Sequence, residues 1–123
     1  MSTVIHNIAI DCADPYRLAQ FWSAVLDRPL VDAEPGDPEL SLPLTDSQNL
    51  YFQAVPEPKN GKNRLHVCLC PDRPRDEEVE RLLALGATLS EDHRRSDGSG
   101  WAVLLDIEGN EFCVLRSAAE RHA

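Results

Sequence analysis

Long apolar runs are missing from this 123-residue sequence. Nothing in it approaches the ~20 residues that a membrane-spanning helix requires. Basic residues are scarce as well: 12 Lys and Arg stand against 21 Asp and Glu, a formal net charge of −9. Nucleic acid and anionic membranes both call for a basic face, so neither is an expected partner. Gly-x-Ser-x-Gly, a phosphate-binding glycine loop and a dinucleotide fingerprint are all absent, which leaves no support for nucleophilic catalysis. The segment Met1-Ser2-Thr3-Val4-Ile5-His6 lacks the basic start and apolar stretch of a secretory leader, so a cytoplasmic location is expected. Only four cysteines occur, Cys12, Cys68, Cys70 and Cys113. Three lie within apolar, strand-like runs rather than in the loops of a disulfide framework, and reduced thiols are expected.

What is present suits one compact domain over residues 1–123, with 42% apolar and 27% charged residues. Slid along itself by 60 positions, the sequence superposes His6 on His66, Asp46 on Asp106 and Phe52 on Phe112 without a gap. A repeat of that length points to two copies of one supersecondary unit. Module one is read over about 4–56, a linker over 57–63 and module two over about 64–116.

Each half opens with an apolar strand, Val4 to Asp11 and Leu65 to Cys70. Asp14-Pro15 then supplies an N-cap and a first-turn proline for a helix. Its stripe is Leu18, Phe21, Trp22, Val25 and Leu26, and Pro29 stops it. Leu40 to Leu44 and Asn49 to Val55 read as strands after a Pro35-Gly36-Asp37-Pro38 turn. In the second half Pro74 starts a helix with Asp76, Glu77, Glu78 and Glu80 near its positive end. Val79, Leu82 and Leu83 form its buried stripe, and Gly86 closes it. Ala87 to Asp92, Trp101 to Asp106 and Glu111 to Arg116 read as strands, and Ser117 to Ala123 as a frayed tail. Strand, helix, then two or three strands, twice over, predicts an α+β fold with mostly antiparallel sheet.

Side chains alternate across a strand. His6 thus shares a face with Ile8 and Ile10, His66 with Cys68 and Cys70, Gln53 with Tyr51, and Cys113 with Glu111. A pseudo-twofold between the halves would gather His6, His66, Gln53 and Cys113 around one cavity. Trp101 and Tyr51 are strand aromatics of the kind that wall ligand cavities. Phe52, Phe112, Phe21 and Trp22 are assigned to the core, and so are Cys68 and Cys70. His93-Arg94-Arg95 reads as plain loop. Lys59, Lys62 and Arg64 are either a solvated linker or a gate for an anionic small molecule.

The ordered set Ile5-His6-Asn7-Ile8-Ala9-Ile10-Asp11, Leu50-Tyr51-Phe52-Gln53, Asn63-Arg64-Leu65-His66-Val67, Gly86-Ala87 and Asp106-Ile107-Glu108-Gly109-Asn110-Glu111-Phe112-Cys113-Val114-Leu115 covers nearly the whole chain. Through it the sequence resembles the vicinal oxygen chelate superfamily (glyoxalase, bleomycin resistance protein, dioxygenase) in its glyoxalase-like branch. The resemblance implies two βαβββ modules forming a cupped sheet around a cavity, commonly in a homodimer. It implies a divalent metal held by first and last strands, with His6 and His66 at two ligand positions. The two other positions, carboxylates in the family, carry Gln53 and Cys113 here.

Gln53 offers only a neutral carbonyl oxygen, while Cys113 as thiolate favours a softer ion. The resemblance implies a small-molecule enzyme of lyase, isomerase or dioxygenase type. His6 and His66 would bind one divalent metal (Zn, Ni, Co, Mn or Fe). Glu111 is the candidate catalytic base. Gln53, Tyr51, Trp101 and Cys113 would contact the substrate. The alternative is a metal-free drug- or metabolite-binding protein.

Overall fold

The computed structural model describes residues 2–122; the terminal Ala123 of the expected tail lies outside them. The chain forms two compact units, one reaching to Lys59 and one beginning at Asn60.

In the first unit β1 (Asn7–Cys12) leads to α1 (Pro15–Leu26), then β2 (Glu39–Pro43) and β3 (Asn49–Ala54). The predicted cap is in place: the Asp14 side chain accepts from the Arg17 N–H, and Pro15 occupies the first turn. The helix ends at Asp27, which takes the left-handed conformation at φ 52° before Pro29 is reached. The sheet order is β1-β3-β2, parallel between β1 and β3 and antiparallel between β2 and β3. Leu40, Leu42, Leu50 and Phe52 are buried on one sheet face, and Leu18, Phe21, Trp22 and Val25 on the helix that packs against that sheet.

Two strands follow the helix here, where the second unit has three. The segment between Leu26 and Glu39 contains Pro29, Pro35 and Pro38, which lack ladder donors. Asp32 and Gly36 also hold positive φ there. A strand cannot persist through such backbone.

The second unit runs β4 (Cys68–Leu69), α2 (Arg75–Ala84), β5 (Thr88–Asp92), β6 (Ala102–Leu105), β7 (Glu111–Val114) and α3 (Ala118–Arg121). Its sheet order is β4-β7-β6-β5, with β4 parallel to β7 and the other pairs antiparallel. The α+β class predicted from sequence holds, as two small mixed sheets. Val79, Leu82, Ala102, Leu104, Phe112 and Val114 are fully buried, Phe112 on the same footing as Phe52 in the first unit.

Two local expectations need correction. The first strand of this unit shrinks from the predicted Leu65 to Cys70 to two residues, because only Cys68 and Leu69 find ladder partners. The predicted frayed tail instead forms α3. Ser117 and Glu120 complete a capping box, and Glu120 Oε1 also accepts the Arg75 N–H at 2.8 Å.

Candidate functional site

The second unit's ladders decide which side chains face solvent together. Cys68 stands directly opposite Cys113 in the parallel β4–β7 pair, and Val103 opposite Cys113 in the antiparallel β6–β7 pair. Paired residues point to the same face. Leu69, Leu104, Phe112 and Val114 therefore turn to the core, while Cys68, Val103, Glu111 and Cys113 turn to the open face. In β5 the register slips between Leu89 and Glu91, so Leu89 pairs with Leu104 but Glu91 with Val103. That bulge at Ser90 brings Glu91 to the open face, as bulges redirect side chains generally.

A hollow of about 360 Å³ lies on this face, lined by Lys62, His66, Cys68, Glu91, His93, Trp101, Val103, Glu111, Cys113 and Leu115. Its walls are organised. His93 and Trp101 stack with centroids 4.8 Å apart, and His93 Nε2 lies 3.3 Å from Glu91 Oε1. Glu111 Oε2 accepts the Asn63 N–H at 2.9 Å, which ties the segment leading to His66 to the start of β7. The donor atoms of His66, Cys68 and Cys113 all lie within 4.8 Å of one another. His66 and Cys68 are exposed and Cys113 is buried. Burial pushes the Cys113 thiol up to about 11, with Cys68 beside it adding to the rise.

Four residues proposed from sequence, His66, Trp101, Glu111 and Cys113, thus share one hollow. The other three lie in the first unit. His6 is exposed, precedes β1 and lines a separate depression of about 840 Å³ with Tyr51. The Tyr51 hydroxyl donates to the Glu39 carboxylate, which holds its own pKa above the usual phenol value. Gln53 is exposed on β3 and lies outside that lining.

The 60-residue offset does not carry through the two ladders. Gln53 stands opposite Asp11, five residues past His6, whereas Cys113 stands opposite Cys68, two past His66. At about 3.3 Å per residue that separation reaches ~16 Å in the first unit and ~7 Å in the second. Only the second brings its histidine and its last-strand residue together.

Sequence reasoning assigned Cys68 to packing and His93 to plain loop; both line the hollow. Cys70 does leave the group, donating to the Arg116 carbonyl and accepting from Arg121. Adjacent-strand pairing was the missing information, because two residues apart on one strand says nothing of a partner across the ladder.

The family model for the glyoxalase-like domain matches residues 7–115. The chain therefore belongs to the glyoxalase-like domain family. Similar solved structures include a glyoxalase/bleomycin resistance protein/dioxygenase family enzyme from Burkholderia phytofirmans at 21% identity and TM-score 0.68, covering 89% of this chain and 94% of that one. Another is a mutant of the fosfomycin resistance protein FosX of Listeria monocytogenes, complexed with Mn(II) and 1S,2S-dihydroxypropylphosphonic acid. It shows 17% identity and TM-score 0.71, with 98% and 95% of the two chains covered. A glyoxalase-related enzyme from Fulvimarina pelagi aligns at 15% identity and TM-score 0.68 over 93% and 88%. No curated protein matches the sequence.

Proposed function

We propose that the chain is a glyoxalase-like enzyme of lyase or isomerase type that takes a small molecule with vicinal oxygens into the hollow of its second unit. The observation that carries this reading is the convergence of His66, Trp101, Glu111 and Cys113 on one open sheet face. Imidazole and sulfur donors suit a divalent ion, so His66 and Cys113 fit as ligands. A bound ion would supply Lewis acidity toward a substrate oxygen. Trp101, stacked on His93, offers a flat apolar wall to the substrate. Lys62 at the rim favours an anionic group. Glu111, oriented by the Asn63 N–H, takes up the substrate proton. Homodimer formation and a cytoplasmic location complete it. No helix among the described residues is long and apolar enough to cross a membrane.

The loss of both family carboxylates, at Gln53 and Cys113, favours one second reading: a metal-free binder of small molecules. Thermal melts with vicinal diols, α-hydroxy acids and hydroxyphosphonates, each with and without Zn(II), separate the two. A ligand that binds only the folded chain raises its melting temperature. Stabilisation that requires Zn(II) supports the enzyme reading, stabilisation without it the binder, and none from any compound removes both.

A further inference from the structure

The next step rests on the small-molecule reading and specifies its ion and ligand set. We propose that the second unit by itself holds a three-ligand site for a thiophilic divalent cation of the zinc class on His66, Cys68 and Cys113. Cys68 is the ligand that the family resemblance does not supply, and neither His6 nor Gln53 is needed to complete the set.

Geometry is the first support. Cys68 and Cys113 are direct partners across a parallel ladder, so their side chains leave the sheet on the same face. His66 lies two residues before Cys68, just ahead of β4, and lines the same hollow as the two cysteines. Donor atoms gathered within 4.8 Å of one another need only a modest side-chain adjustment to reach the spacing of about 3.3–3.8 Å that tetrahedral bonds of about 2.0–2.3 Å set.

Donor chemistry is the second. One imidazole nitrogen and two sulfurs form a soft set, suited to Zn(II) and its analogues Co(II) and Cd(II) rather than to Mn(II) or Mg(II). Two thiolates also balance the ionic charge, the task that carboxylates perform in an oxygen-rich site. The surroundings are the third support. His66 and Cys68 are exposed and the hollow lies over them, so a fourth position faces the space where a substrate would enter. Three protein ligands and one open position is the arrangement of catalytic rather than structural zinc.

The remaining thiols lie elsewhere. Cys70 is engaged by Arg116 and Arg121, and Cys12 donates to the Gln53 carbonyl in the first unit.

Titration of the reduced, metal-free full chain with Co(II) and Cd(II) under argon tests the proposal. Binding of one equivalent is expected, with sulfur-to-metal charge-transfer absorption of two-thiolate intensity. Mn(II) is expected neither to produce a spectrum nor to displace Cd(II). Cys68→Ser and Cys113→Ser should each halve that intensity, while Cys70→Ser leaves it unchanged. Cys68 is exposed, so its serine variant should fold, which circular dichroism checks directly.

Full intensity in Cys68→Ser, or no charge transfer in the unaltered chain, overturns the proposal. The emission difference between the unaltered chain and Trp101→Phe reports small-molecule entry independently. Thiolate binding of Cd(II) with no compound perturbing Trp101 would keep the ion site and remove the functional reading. Trp101 quenching without charge transfer would do the reverse.

Discussion

Cys113 and Gly100 show how single atoms set the behaviour of the open face. With its pKa pushed up to about 11, the buried Cys113 thiol stays protonated at neutral pH in the metal-free chain. Thiolate is the nucleophile in alkylation, so reactivity follows exposure and charge state. Iodoacetamide at about pH 8 should label exposed Cys68 and Cys70 first and buried Cys12 and Cys113 last, as peptide mass spectrometry over time would show. Equal rates at Cys68 and Cys113 would contradict this assignment. Gly100 sits at φ +92°, and a Cβ there would lie 1.9 Å from the His93 carbonyl oxygen. Backbone cannot give way as a flexible side chain could. Gly100→Ala should therefore cost about 1–3 kcal/mol and push His93 off Trp101, seen as a lower melting temperature and altered Trp101 emission.

Among the elements, α2 does more than cover the second sheet. Its first residue, Arg75, is buried, and one guanidinium nitrogen (Nη1) donates to the carbonyls of Gly98, Ser99 and Gly100 at 3.0–3.2 Å. The loop joining β5 to β6, which leads to Trp101, is thereby fastened to the helix start. Arg75→Met keeps the packing and removes the donors, leaving three carbonyls without that partner. A loss of about 2–3 kcal/mol is expected. Faster amide exchange confined to residues 96–101 should accompany it; uniform exchange would mean the loop is held otherwise. None of this was legible in the sequence, where Arg75 is one more charge in a helix start. Asp14-Pro15, the α1 stripe and the Phe52 and Phe112 cores were legible, because caps and 3.6-residue periodicity are local signals. Ladder register is not local. His66 could be paired with Cys113 by the repeat, but the same repeat wrongly joined His6 to Gln53. Cys68 and Glu91 reach the open face through strand pairing and a bulge that no spacing discloses.

Across the whole molecule, the carboxyls held below their ordinary pKa range cluster in the second unit. Hydrogen bonds from the Arg94 side chain hold Asp92 at about 2. Against some cost of burial, Arg75 and Arg94 lower Asp76. The Ser99 hydroxyl and N–H lower Asp97, and the Ser117 N–H leads the lowering of Glu120. A carboxyl with a depressed folded pKa stabilises the fold fully above its unfolded value and loses that contribution as pH falls through the folded one. For Asp92 the window runs from the ordinary 3.8 down to about 2. The groups join α2, the β5–β6 loop and α3, so protonating them loosens the second unit's perimeter together. The chain's two tryptophans report the units separately, Trp22 from the buried face of α1 and Trp101 beside His93. Acid titration of the single-tryptophan variants Trp22→Phe and Trp101→Phe should show the Trp101 signal changing at higher pH than the Trp22 signal. Coincident transitions, or Trp22 leading, would mean that these carboxyls do not govern acid stability. Salt should narrow the gap, since exposed pairs such as Arg94–Asp92 are screened by ions.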